Sequence, residues 1–122
     1  PHKRQMNKFI WPLSKGVANW QQYSLRLALK AKNNRDIVGS ASVDYLMFSG
    51  YIVMAYFWAQ MAQSAYEKLA TDVENRDFYR AKIKTAEFYF ERMLPRTKSL
   101  AKTMMADPKT LMQLDQELLS FL

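Results

Sequence analysis

The apolar residues of this chain recur at spacings of three and four, which is typical of helices that bury one face. In residues 15–32 this pattern predicts a first helix, with Val17, Trp20 and Leu27 on its buried face. Residues 1–14 keep no sustained period, so we expect an irregular lead-in there. Asn, Asp and Gly residues between positions 33 and 40 then favour a turn.

A second helix is predicted from Ser40 or Ser42 to about Ala70, because either serine can cap its first turn. No charged residue lies between Asp44 and Glu67, and that length is enough to cross a membrane. Tyrosines are spread along the whole stretch, however, whereas spanning helices concentrate them at the two interfaces. We therefore expect the central, most buried helix of a bundle and no membrane span; a membrane-associated protein is a further alternative.

A third helix is predicted from about Arg76 to Met105, after a polar connector at residues 72–77. Its apolar stripe keeps its phase through Pro95, although proline removes one backbone donor. This favours one long helix kinked at Pro95, with two tightly joined helices as the alternative.

Asp107 and Pro108 form a helix-start signal, because Asp caps a first turn and Pro is tolerated within it. A short last helix is predicted there, with an apolar seam of Leu111, Leu114, Leu118 and Leu122. The expected fold is all-α, an antiparallel bundle of three long helices plus a short C-terminal helix. Residues 15–122 would form a single helical-bundle domain.

The composition excludes most catalytic chemistry. Among 122 residues there is no Cys and one His, so thiolate nucleophiles, disulfides and thiolate-bound metals are excluded. With His2 alone, a di-iron bundle lacks its ligands and a Ser or Thr nucleophile lacks a histidine base. Glu87 and Glu91 lie one turn apart near Lys84 and Arg92, which indicates a solvated, charge-balanced face. We predict no catalytic, cofactor-binding or metal-binding residue.

The net charge of +7 is concentrated in residues 1–35, which contain basic residues and no acid. Such a surface suits phosphates, anionic lipid or an acidic protein face. A basic helical nucleic-acid-binding module is therefore the alternative function. The aromatic residues at helical spacing are interpreted as core. Gly50, inside the second helix, is interpreted as a site where a neighbouring helix approaches closely.

Three segments together point to a family: Asp44-Tyr45-Leu46 with Gly50 and the stretch 58–62, Phe88-Tyr89-Phe90-Glu91-Arg92-Met93-Leu94-Pro95-Arg96, and Leu111-Met112-Gln113-Leu114-Asp115. In order and spacing they resemble the extra C-terminal helical domain of large bacterial acyl-CoA dehydrogenases, a group that includes 3-methylmercaptopropionyl-CoA dehydrogenase-like enzymes. The resemblance covers roughly residues 15–119, and the segment at 88–96 is its most specific part.

The resemblance implies a noncatalytic structural or interface domain of an oxidoreductase. Enzymes of that family hold FAD, oxidise acyl-CoA thioesters to enoyl-CoA in fatty acid metabolism, and pass electrons to an electron-transfer flavoprotein. Their glutamate base and flavin site lie upstream, so no site residue is carried over to this chain. The implied partners are the upstream catalytic domains and a homo-oligomer of the parent enzyme, with no nucleic acid, in the cytoplasm. The upstream domain would bury Phe9, Ile10 and Trp11 of the lead-in.

Overall fold

A computed structural model describes residues 3–71, 74–113 and 116–121 of the protein. Every regular element in these ranges is helical: α1 Lys3–Asn33, α2 Asp36–Thr71, α3 Arg76–Phe88, a π-helical turn at Tyr89–Met93, α4 Arg96–Met104, α5 Lys109–Met112 and α6 Gln116–Leu119. The all-α class is confirmed, as are three long helical segments with a bend in the third.

The first helix begins at Lys3, so the irregular lead-in predicted for residues 1–14 is wrong over the residues described there. Pro12 lies within α1, and its missing N–H does not end the helix because the side chains around it are held in the core. Met6 and Phe9 are buried, and the Phe9 ring meets Phe90 edge-on with centroids 5.1 Å apart. Residues 3–14 therefore belong to the folded domain.

The turn between α1 and α2 is shorter than predicted. The Oδ1 of Asn34 accepts the N–H of Asp36 at 3.0 Å, so α2 begins at Asp36 and not at Ser40 or Ser42. Both serines lie inside α2, where their hydroxyls donate to helical carbonyls. One asparagine thus starts the helix that two serines were expected to cap.

Helix α2 is central, because it packs against α1, α3 and α4. The face that it buries is a seam of small side chains around two large ones: Ala41, Phe48, Ile52, Ala55, Ala59, Ala62 and Ala65. Alanine side chains let the neighbouring helices approach closely. The opposite face of α2 is exposed, so this central helix is buried along one face only.

The bend in the third helical region combines Pro95 with a wide turn that precedes it. Leu94 donates its N–H to the carbonyl of Tyr89 at 2.9 Å, five residues back, which closes the π-helical turn. Helix α4 then restarts at Arg96. The predicted position of the bend is correct, while the extra residue of the π-helical turn is not apparent from periodicity.

The single short last helix is not confirmed: the one-turn helices α5 and α6 lie in this region, and residues 114–115 between them are outside the described residues. Asp107 does start this region, since its Oδ1 accepts the N–H of Lys109 at 2.9 Å. Leu114 and Leu122 of the predicted seam lie outside the described residues, and Leu118 is exposed.

The predicted close approach at Gly50 is wrong within this chain, and the close approach occurs at Gly16 instead. An added Cβ at Gly50 would meet nothing within 4 Å, whereas one at Gly16 would lie 2.8 Å from Cδ1 of Ile52. Ile52 is only 1% exposed, so Gly16 is the site of close approach between α1 and α2.

Substitution of each glycine by alanine should separate these roles. Gly50→Ala is expected to stabilise the dilute protein by up to about 1 kcal/mol, the usual gain of replacing glycine inside a helix. Gly16→Ala gains the same propensity but displaces Ile52, at a typical overpacking cost of about 1–3 kcal/mol, and should be neutral or destabilising. Urea unfolding measures both; equal stabilisation by the two variants would contradict the assignment of Gly16.

Candidate interface surfaces

The exposed face of α2 carries a continuous apolar row. We call it the outer stripe: Val43, Leu46, Met47, Gly50, Val53, Met54 and Phe57. Spacings of three and four place these residues on one side of the helix. Apart from Gly50, the side chains are 40–71% exposed. Contiguous exposed apolar surface of this kind marks a place where something binds.

An apolar cleft between α1 and α2 adjoins the outer stripe. It has a volume of about 690 Å³, and Leu46 lines it as well as belonging to the stripe. The hydroxyl groups of Ser24 and Tyr45 are hydrogen-bonded to each other across the cleft, with their oxygen atoms 2.7 Å apart. Among the described residues the buried Nε1 of Trp20 has no hydrogen-bond partner. The cleft therefore enlarges the apolar surface beside the stripe.

A second surface surrounds Trp11, which is 75% exposed. Trp11 and Lys15 of α1 form one wall of a cleft of about 420 Å³, and Phe90, Pro95 and residues near them form the other. Ile10 is also exposed, but Phe9 is already buried by this chain. The expectation that Phe9 needs an upstream domain for its burial is therefore wrong.

The segment that carries the most specific resemblance, residues 88–96, forms the bend and packs it on α2. Burial raises the pKa of Tyr89 to about 12, and its hydroxyl donates to the carbonyl oxygen of Tyr51 at 2.6 Å. Arg96 donates to the hydroxyl of Tyr51 at 3.4 Å, and Leu94 is buried. These contacts give the segment a structural role.

Glu87 does more than balance charge on its own helix. Its carboxylate accepts hydrogen bonds from Lys8 of α1 and from Lys84 of α3. The bond from Lys8, supported by the one from Lys84, holds the pKa of Glu87 below its usual value of 4.5 although partial burial acts to raise it. Glu91 is exposed, as predicted for a solvated face.

The Glu87 bridge should make a small, pH-dependent contribution to stability. A carboxyl with a lowered native pKa stabilises the fold above about pH 4.5, and this is lost as the pH falls through the native value. At pH 7, Glu87→Gln should cost less than about 1 kcal/mol, because Lys8 is half exposed and the pair is screened by solvent. Urea unfolding from pH 7 to pH 3 should show the two proteins converging. A difference that grows on acidification would contradict the bridge.

No cluster of three or more His, Cys, Asp or Glu residues that could hold a metal ion occurs within the described ranges. Within the same ranges, α2 is the one helix whose length and apolar composition would allow it to cross a membrane. Only 17% of its most apolar window is buried, since the outer stripe lies on this helix.

The chain matches a known family over nearly its whole length. A family model described as acetyl-CoA dehydrogenase C-terminal like matches residues 2–115. No curated protein and no solved structure matches. The match includes the bend at 88–96 and all of α1, which the resemblance in the sequence covered only in part. The chain belongs to the family of C-terminal domains of acyl-CoA dehydrogenase-like proteins.

Proposed function

We propose that this chain is the noncatalytic C-terminal domain of an FAD-dependent acyl-CoA dehydrogenase that oxidises acyl-CoA thioesters to enoyl-CoA. The family match across residues 2–115 is the observation that carries the proposal. In this enzyme, the flavin, the glutamate base and the surface for an electron-transfer flavoprotein belong to the upstream catalytic domains. The parent enzyme is a cytoplasmic homo-oligomer of fatty acid metabolism.

The residues of this chain do not fit FAD. A dinucleotide pyrophosphate is bound by glycine-rich loops and by the backbone N–H groups at helix starts. The three glycines here, Gly16, Gly39 and Gly50, all lie inside helices, where their N–H groups are engaged. The oxidation therefore belongs to the upstream domains, and this domain contributes packing surfaces.

The Trp11 surface is the one we assign to the upstream domains. Trp11 and Ile10 lie on the first turns of α1, next to the end of the chain that would join the catalytic part. Lys15 on the same surface belongs to the acid-free region 1–35, which suits an acidic neighbouring surface. Burial of an exposed Trp and Ile is the kind of contact that anchors an interface.

The polypeptide encoded by the complete reading frame tests this proposal when compared with the 122-residue chain. We expect the complete polypeptide to purify with a flavin spectrum that bleaches on addition of an acyl-CoA. The 122-residue chain should bind no FAD in a fluorescence titration. A complete polypeptide without flavin, or one whose flavin ignores every acyl-CoA tested, would contradict the proposal.

A further inference from the structure

The cleft between α1 and α2 is long and its lining is almost wholly apolar. It extends beside α2 from Ile37 to Ser49, which is about 18 Å of helix, and beside α1 from Trp20 to Ala31. Its volume of about 690 Å³ is in the range of sites that hold small molecules. The described residues that line it include no Lys, Arg, Asp or Glu. The cleft therefore suits an uncharged molecule with a long apolar part.

The two hydroxyl groups that meet across the cleft are hydrogen-bonded in one direction. The hydroxyl of Ser24 donates to the carbonyl oxygen of Trp20 at 2.7 Å. Because that bond uses the single proton of the Ser24 hydroxyl, the bond of 2.7 Å between Ser24 and Tyr45 needs the proton of Tyr45. Tyr45 is thus the donor and Ser24 the acceptor. The oxygen of Tyr45 keeps its capacity to accept, since no described residue donates to it.

The remaining polar groups of the cleft leave no donor for a ligand. Ser49 donates to the carbonyl oxygen of Tyr45 at 2.8 Å, and Ser42 donates to that of Gly39 at 3.4 Å. The Nε1 of Trp20 has no partner among the described residues, but this nitrogen is buried and therefore closed to a ligand. A carboxylate or a ketone, which can only accept, finds no donor in this cleft, whereas a hydroxyl group finds an acceptor.

We propose that the α1–α2 cleft binds a neutral long-chain alcohol, whose hydroxyl donates to Oη of Tyr45 and whose alkyl chain lies along the groove. The chain would cover apolar side chains that are exposed without it, Val38 and Leu46 among them. Removal of this apolar surface from water is the main source of affinity. The hydrogen bond to Tyr45 selects an alcohol among molecules of the same shape.

This site is distinct from the acyl-CoA site that we assign to the upstream domains. A coenzyme A thioester has a carbonyl that only accepts, and its phosphates need cations. The lining of the cleft supplies neither a free donor nor a cation among its described residues. The alcohol site therefore goes beyond the proposed dehydrogenase function and does not depend on it.

A comparison of three probes tests the chemistry of the site. Decanol, decyl methyl ether and decanoate have the same alkyl chain, but only decanol is an uncharged donor. Fluorescence of Trp20 reports binding in a chain in which Trp11 and Trp58, the other two tryptophans, are replaced by Phe. Decanol should bind about three- to tenfold more tightly than the ether, which is the usual worth of one neutral hydrogen bond. Decanoate should bind more weakly than decanol, because its charge would be unpaired in the cleft.

Decyl methyl ether that binds as tightly as decanol would overturn the proposal. Decanoate that binds more tightly than decanol, or decanol that shows no saturable binding, would overturn it as well.

Two substitutions locate the site, with circular dichroism to check that each variant remains helical. Tyr45→Phe keeps the ring but removes the acceptor, so the preference for decanol over the ether should disappear. Tyr56→Phe is the matched control, because Tyr56 is an exposed residue of α2 outside the cleft whose hydroxyl accepts from Gln60. Ala28→Phe places a ring in the cleft from an exposed position and should weaken both ligands about tenfold or more.

The proposal is contradicted by a preference for decanol that survives Tyr45→Phe, by equal effects of Tyr45→Phe and Tyr56→Phe, or by unchanged binding in Ala28→Phe. These measurements use no flavin, so their failure leaves the dehydrogenase assignment intact. A complete polypeptide without flavin would likewise leave the alcohol site intact.

Discussion

Replacing Phe9 by Ala should destabilise the domain by about 3–5 kcal/mol, the usual cost of removing a buried aromatic side chain. Phe9 is 1% exposed and its ring packs edge-on against Phe90, and among the described side chains of α1 no other large one is so completely buried. Since the free energy of unfolding of small domains is only about 5–15 kcal/mol, this loss would remove a large part of the stability of the domain. Urea unfolding followed by circular dichroism measures the change.

Trp11→Ala is the matched control, because Trp11 is as large and lies on the same helix but is 75% exposed. We expect its effect on the 122-residue chain to stay within about 0.5 kcal/mol, as for most surface substitutions. If Phe9→Ala lowered the free energy of unfolding as little as Trp11→Ala, residues 3–14 would not be part of the core. The prediction of an irregular lead-in would then hold.

The second large effect is expected at the alanine seam of α2. Ala62 is 0% exposed and shares the core with Ala86 of α3, which is equally buried. Ala62→Leu forces extra volume into this core and should cost about 1–3 kcal/mol or more, because a packed core does not yield easily. Gln63→Leu adds a leucine at the next, exposed position and should be nearly neutral. Unfolding free energies that are the same for the two variants would show that Ala62 does not lie in a packed core.

The sequence predicts the helical class and the bend because both depend on local patterns. Apolar spacing gives helices, and Pro95 lies where the third helical region bends. The extension of α1 to Lys3 was missed because Ile10, Trp11 and Pro12 interrupt a period that Met6, Phe9 and Leu13 in fact maintain. Exposed apolar side chains and an internal proline therefore mask the helical periodicity of the buried face.

Contacts between residues that are far apart in the sequence cannot be predicted from the spacing of apolar residues. Lys8 and Glu87 are 79 residues apart, so their bridge exists only once α1 and α3 are packed. Gly50 illustrates the same limit, because here the sequence predicts a contact that the fold does not make. A glycine in a helix signals some close approach, but only the packed structure shows that nothing within this chain approaches it and that Gly16 has that role. The candidate interface surfaces can therefore be identified only from the apolar side chains that the fold leaves exposed.

Oxidative footprinting tests most directly the claim that this domain serves as an interface within a larger enzyme. Hydroxyl radicals oxidise exposed Trp and Met side chains, and mass spectrometry measures the rate at each position. In the complete polypeptide, Trp11, Met47 and Met54 should be oxidised several-fold more slowly than in the dilute 122-residue chain. Met104, 2% exposed in this chain, should react slowly in both and serves as the internal control. Equal rates at Trp11, Met47 and Met54 in the two proteins would contradict the account.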